Sequence, residues 1–228
     1  MFKADRLKQV SIFSSLENKY LEEISLITKK KTFHKNEVIF AQGDPGNTLF
    51  IMISGAVKVS LIDANGKETI LNILYEHDFF GEMALLDGHL RSATATALEP
   101  VTALTIHRED FIGFIKKNPL TILSIIIDLC CRLRRTSEQV ANLTFLTASG
   151  KVARVLLDLA LDEGQQKNDS IVLNLRFGRQ ELANMVALSR ETLTRVLYEF
   201  QTRGYLQVEG KKITIYNKEH LEEIIEQV

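Results

Sequence analysis

Seven positions between residues 122 and 143 recur at intervals of 4, 3, 4, 3, 4 and 3: Ile122, Ile126, Leu129, Leu133, Thr136, Val140 and Leu143. A repeat averaging 3.5 residues puts these side chains in one seam along a helix, and such a seam must be covered by another element. Asn118 stands where a cap belongs and Pro119 in the first turn, so the helix is expected to run from there to about Leu146. It could pack on its own domain or pair with a second copy of the chain. The heptad spacing favours the pair. Thr136 is the one polar residue in the seam and needs its own explanation.

The chain on either side of this helix differs in pattern. From Lys30 to about His107, short runs rich in Val, Ile, Phe and Thr alternate with turns: Glu37–Phe40, Thr48–Ser54, Ala56–Ile62, Glu68–Leu74, Ser92–Leu98 and Val101–Ile106. Glycines at 43, 46, 55, 66, 81 and 88 separate them, and Ala64-Asn65-Gly66-Lys67 suits a hairpin turn. Many short strands at near-regular spacing imply a jelly roll or small barrel. Residues 5 to 27 carry a broken helical pattern ahead of it.

After Thr147-Ala-Ser-Gly150 come an amphipathic helix (Lys151 to Leu161), a polar loop (Asp162–Asp169) and a strand (Ile171–Leu175). Two short helices follow, Arg179–Val186 and one opening at Ser189. A hairpin from Tyr205 to Tyr216 turns at Glu209-Gly210-Lys211. Helix, turn, helix and ribbon make a winged helix-turn-helix. Ser189 is a good N-cap, placing Arg190, Glu191 and Arg195 in the first turns of the second helix. An Arg fork matches the two acceptors of guanine in the major groove, and Glu accepts from the cytosine amino group. An ordinary surface helix with a Glu191–Arg195 pair is the bland alternative.

Composition is compatible with a DNA reader only if charge is local. The formal net charge is −1, with 45% hydrophobic and 25% charged residues. Between Arg176 and Lys212, however, seven basic residues face four acidic ones. No secretory signal opens the chain, and the apolar stretch Leu120 to Cys131 is short and broken by Asp128, so no membrane span is expected. Cys130 and Cys131, adjacent on a helix, point in different directions and make neither a metal site nor a disulfide framework. A reduced, cytoplasmic protein is the simplest reading. No nucleophile–base pair or metal constellation points to an enzyme.

The segment Phe79-Phe-Gly-Glu-Met-Ala-Leu-Leu86, followed by Arg91-Ser-Ala-Thr94, sets an acid and a cation in apolar surroundings. Buried, each needs a partner. A mutual ion pair would serve. So would a ligand offering a hydroxyl to Glu82 and an anion to Arg91, with Ser92 and backbone N–H groups completing a phosphate cradle.

Over nearly its full length the chain resembles the cyclic-AMP receptor protein (catabolite activator) and fumarate–nitrate regulator family. The string Gly-Glu-Met-Ala-Leu-Leu with Arg-Ser-Ala matches that family's phosphate-binding cassette. The resemblance implies that Glu82 holds a ribose 2′-hydroxyl, that Arg91 and Ser92 hold a cyclic phosphate, and that the backbone of Gly81 and Met83 lines the turn. Thr136-Ser137 match the pair facing adenine in the cyclic-AMP branch. In the DNA-binding part, Arg179, Arg190, Glu191, Thr192 and Arg195 match family positions, with Ser189 and the wing residue Lys211 beside them. The expected fold is α+β: a cyclic-nucleotide-binding jelly-roll domain (1–117), a dimerisation helix (118–146) and a winged helix-turn-helix (147–228). The expected function is a bacterial, cyclic-AMP-gated homodimer that reads a palindromic TGTGA-type operator on double-stranded DNA, with RNA polymerase as a further partner. A ligand-independent regulator with a vestigial pocket, or one gated by cyclic GMP or a cyclic dinucleotide, are the alternatives. No N-terminal cysteine cluster for iron–sulfur and no Cys/His pattern for haem is present, so neither group, nor a metal, is expected.

Overall fold

The computed structural model describes residues 4–226. Its backbone gathers into two compact units. One comprises the residues up to Gly66 with Leu71–Arg135, the other Lys67–Ile70 with the residues from Thr136 on.

In the first part of the chain, eight strands build two four-stranded sheets. They are β1 (Lys29–Phe33), β2 (Val38–Phe40), β3 (Thr48–Ser54), β4 (Val57–Ile62), β5 (Glu68–Leu74), β6 (Phe79–Phe80), β7 (Thr94–Ala97) and β8 (Val101–His107). The sheet orders are β1-β8-β3-β6 and β2-β7-β4-β5, a double-sheet arrangement in keeping with the expected jelly roll. Strand β3 shows how the sequence dictates the layers. Its side chains alternate, so Phe50 and Met52 enter the core between the sheets while Leu49 and Ile51 face the opposite side. There they meet Phe13, Leu21, Ile24, Phe111 and Phe114, which come from a helical layer. That layer holds α1 (Ala4–Leu7), a single 3-10 turn (Ser11–Phe13), α2 (Asn18–Ile27), α3 (Glu82–Asp87) and α4 (Arg108–Lys117).

The long helix, α5, spans Pro119–Phe145. Asn118 does join it to α4, in a way the sequence did not indicate: its side-chain amide donates to the Phe114 carbonyl at 3.0 Å, and its own carbonyl accepts from Thr121 N–H. Only part of the seam meets the protein's own core. Thr121 and Ile125 are buried, and Leu129, half-buried, packs on the helical-layer core. Ile122 and Thr136 of the anticipated seam are exposed, and the exposed positions 123, 126, 130, 133, 137, 140 and 144 form a second row that repeats at 3, 4, 3, 4, 3 and 4. They carry Leu123, Ile126, Cys130, Leu133, Ser137, Val140 and Thr144, and Leu133 leaves 67% of its surface in solvent. Five of the seven anticipated seam positions, 122, 126, 133, 136 and 140, are exposed, while Leu129 and Leu143 are half-buried.

In the second part, α6 (Ala148–Glu163) is capped by the Thr147 hydroxyl, which accepts from Gly150 N–H. The polar loop contains a short edge strand, β9 (Gln165–Lys167), followed by β10 (Ser170–Asn174). Then come α7 (Arg179–Met185), α8 (Arg190–Thr202), β11 (Leu206–Glu209), β12 (Lys212–Ile215) and α9 (Lys218–Glu226). The sheet order is β11-β12-β10-β9, the expected wing included. Leu193, Val196, Leu197 and Phe200 bury one face of α8, an i, i+3, i+4, i+7 stripe that leaves the opposite face to solvent. No described helix is long and apolar enough to cross a membrane.

Candidate ligand pocket and nucleic-acid interface

The cassette is built around close approach. Gly81, between β6 and α3, has φ 81°, and a Cβ there would lie 2.6 Å from Arg91 Nη1. A Cβ on Gly46 would overlap the Ala84 Cβ at 2.2 Å. Only glycine fits both places, and this lets the 43–47 loop and the start of α3 fold over the Arg91 guanidinium.

Arg91 is 5% exposed. Its Nη1 donates to the Gly81 carbonyl at 2.7 Å and its Nη2 to the Thr48 carbonyl at 2.8 Å. The guanidinium also lies over the Phe40 ring, 4.2 Å from the centroid. Its Nε is buried with no hydrogen-bond partner among the described residues. Burial pushes its pKa below the ordinary guanidinium value, against the opposing charges of Glu82 and Asp44. The group stays cationic and short of an acceptor, the condition under which an anion is welcome.

Glu82 is 4% exposed. Its ion pair is with Arg132 of α5, Nη1 to Oε1 at 3.4 Å. Burial raises the Glu82 pKa above the usual carboxylate range, and the Arg132 charge opposes that shift. Asp78 nearby is likewise raised by burial, with the Tyr75 backbone N–H opposing. Sequence reasoning did not find Arg132. Met83 is exposed beside the cassette, and the Ser92 hydroxyl points at its sulfur at 3.8 Å. Thr136 and Ser137 are exposed on α5.

On α8, Ser189 caps the helix as anticipated, its Oγ accepting from Thr192 N–H at 3.1 Å. Arg190, Glu191 and Arg195 are exposed and Thr192 is half-buried. The Glu191 carboxyl is held below its ordinary pKa by its own backbone N–H and by the Ser189 hydroxyl, so it is an acceptor. Tyr198, 68% exposed, lies one turn beyond Arg195. Arg179 opens α7 and is half-buried. Lys211, in the wing turn, donates to the Arg176 carbonyl at 3.1 Å. Among the described residues no group of three or more His, Cys, Asp or Glu is placed to hold a metal.

Comparison with known proteins follows the same division of the chain. Residues 30–118 match the description "Cyclic nucleotide-binding domain", and residues 150–224 match "Crp-like helix-turn-helix domain". A CRP-like cAMP-activated global transcriptional regulator of Mycobacterium tuberculosis is 32% identical over 94% of this chain and 96% of its own length. The chain belongs to the CRP/FNR family of transcription regulators. The cAMP-activated global transcriptional regulator CRP of Pasteurella multocida is 38% identical over 80% of this chain and 87% of its own length. Among solved structures, a CooA mutant from Carboxydothermus hydrogenoformans shares the fold with a TM-score of 0.79, at 23% identity and 95% coverage of both chains. CLP of Xanthomonas campestris, described as c-di-GMP responsive, has a TM-score of 0.77 at 25% identity, covering 88% of this chain and 100% of its own. The family is one of DNA-binding regulators, not enzymes.

Proposed function

We propose that this CRP/FNR-family regulator is a homodimer gated by cyclic AMP that reads a palindromic TGTGA-type operator. The observation that carries the effector reading is Arg91: a buried guanidinium with an unpartnered Nε, in the same cassette as a nearly buried carboxylate. In this reading Arg91 and Ser92 hold the cyclic phosphate, Glu82 accepts the ribose hydroxyl, and Gly81 and Met83 line the turn. Thr136 and Ser137 are kept as ligand contacts on the family resemblance. The cAMP-activated relatives support the choice of nucleotide.

Dimerisation is assigned to the exposed heptad of α5, whose apolar residues Leu123, Ile126, Leu133 and Val140 fit helix pairing. Ligand shifts the balance between two dimer states only by binding one better than the other. The two-residue break between α5 and α6, Leu146–Thr147, is the proposed pivot for the DNA-binding part. Arg190, Glu191 and Arg195 would read base edges, Arg179, Ser189, Thr192 and Lys211 would add contacts, and half-sites would lie about 34 Å apart. RNA polymerase remains the proposed further partner. The functional modules are read as 1–117, 118–146 and 147–228.

Calorimetric titration with cyclic AMP, cyclic GMP and cyclic di-GMP, followed by mobility shifts on a TGTGA palindrome, tests this. Saturable binding of cyclic AMP with enhanced retardation of that operator is expected. Tighter binding of cyclic di-GMP, to which CLP is described as responsive, would replace cyclic AMP as effector.

A further inference from the structure

Arg132 is shared unequally between two carboxylates. Its Nε lies 2.5 Å from Asp128 Oδ2, while its Nη1 stands off at 3.4 Å from Glu82 Oε1. Its Nη2 donates to the Phe79 carbonyl at 2.8 Å, and the guanidinium stacks on the Phe79 ring at 4.4 Å. Asp128 precedes Arg132 by one helical turn, so both project from the same face of α5. Its second oxygen faces the Ser11 hydroxyl of the 3-10 turn at 3.4 Å.

Glu82 is the more deeply buried of the two acids. Attraction between opposite charges strengthens as water is excluded, so an Arg132 freed from Asp128 should close on Glu82 more tightly than the 3.4 Å contact it keeps here. We infer that Asp128 is a positioning residue that holds the Arg132 guanidinium back from Glu82, keeping the Glu82 carboxylate able to accept a ligand hydroxyl. Without that restraint, the pocket acid would be closed off by a cation of its own chain. The inference rests on the reading of Glu82 as the acceptor of a ribose hydroxyl.

The test compares cyclic AMP with 2′-deoxy cyclic AMP by calorimetry on full-length protein. Only the first offers the hydroxyl. The wild type is expected to prefer the ribonucleotide. Asp128→Asn, nearly isosteric and uncharged, should bind cyclic AMP about 10-fold more weakly and the deoxynucleotide unchanged, since a charge-assisted hydrogen bond is what is lost. Adding Arg132→Met, which keeps an apolar cover on Phe79 and removes the competing cation, should restore the preference. Equal weakening of both nucleotides in Asp128→Asn would assign Asp128 a structural role and overturn the inference. An unchanged preference would overturn it too, while leaving the cyclic-AMP reading intact. A wild type that binds cyclic AMP with no preference over the deoxynucleotide would remove the role given to Glu82, and the inference with it.

Discussion

Leu129 and Cys130 are neighbours on α5 with opposite environments: Leu129 packs on the core of the helical layer, and Cys130 is exposed in the outer heptad. The pair marks where the covered face of the helix ends. Leu129→Ala should destabilise the fold by about 2 kcal/mol, the low end for a truncated core leucine because the residue is only half-buried, and leave self-association unchanged. Cys130→Leu should do the reverse, tightening the dimer by filling a seam position with a better-packing residue. Thermal unfolding and sedimentation across a concentration series measure the two effects separately. Dimer affinity that responds to residue 129 and not to residue 130 would return the seam to its other phase.

Arg91→Ala should lose cyclic-nucleotide binding by well over ~1.5 kcal/mol, because a charge-assisted phosphate contact disappears. It should also lower the unfolding midpoint of the ligand-free protein, since the Gly81 and Thr48 carbonyls each lose a donor. Nucleotide affinity retained by a folded Arg91→Ala protein would contradict the pocket assignment.

The Glu82 pKa is raised in the fold, so the folded state binds a proton more readily than the unfolded chain does. Its contribution to stability is complete below the unfolded value near 4.5 and is lost as pH rises through the folded value. Glu82→Gln removes a buried charge that Arg132 only partly compensates. The variant should therefore gain stability relative to wild type as pH rises above the ordinary carboxylate range. Chemical denaturation at a series of pH values, without nucleotide, would reveal this. A difference independent of pH would contradict it.

Arg195→Ala should cost about 1–3 kcal/mol of operator affinity and relax preference at one guanine, whereas Lys211→Ala should weaken all sequences alike and flatten the salt dependence. A randomised-operator selection separates base readout from phosphate attraction. Guanine preference unchanged by Arg195→Ala would remove α8 as the reader.

Local patterns showed clearly in the sequence. Strands β3 and β5 coincide with the runs Thr48–Ser54 and Glu68–Leu74. Strand β1 carries Lys29-Lys30-Lys31 and has no apolar alternation to reveal it; pairing with β8 makes it a strand. Periodicity alone did not separate the seam from the buried stripe, because α5 presents apolar residues on two faces, and a helix covered on one side superimposes two stripes in the sequence. Glu82 and Arg132 are 50 residues apart, so their pairing depends on tertiary placement that periodicity cannot express. The cassette glycines were visible, but the reason Gly46 and Gly81 tolerate no side chain lies in the closeness of Ala84 and Arg91.

The turn between α7 and α8 has a different kind of consequence. Ala187 adopts φ 52°, Leu188 N–H donates to the Ala183 carbonyl at 3.0 Å, and Ser189 caps α8. A non-glycine residue in the left-handed region costs about 1 kcal/mol, which the surrounding backbone must hold in place. The direction in which α8 leaves the turn is therefore set by main-chain geometry and a cap that involve neither Arg190 nor Arg195; of the three outward side chains, Glu191 alone touches the cap, through the Ser189 hydroxyl. The two arginines are interchangeable parts on a fixed mount. With α8 as the proposed reader, a lineage carrying this turn can acquire a new operator by exchanging them, without rebuilding the helix pair that presents them.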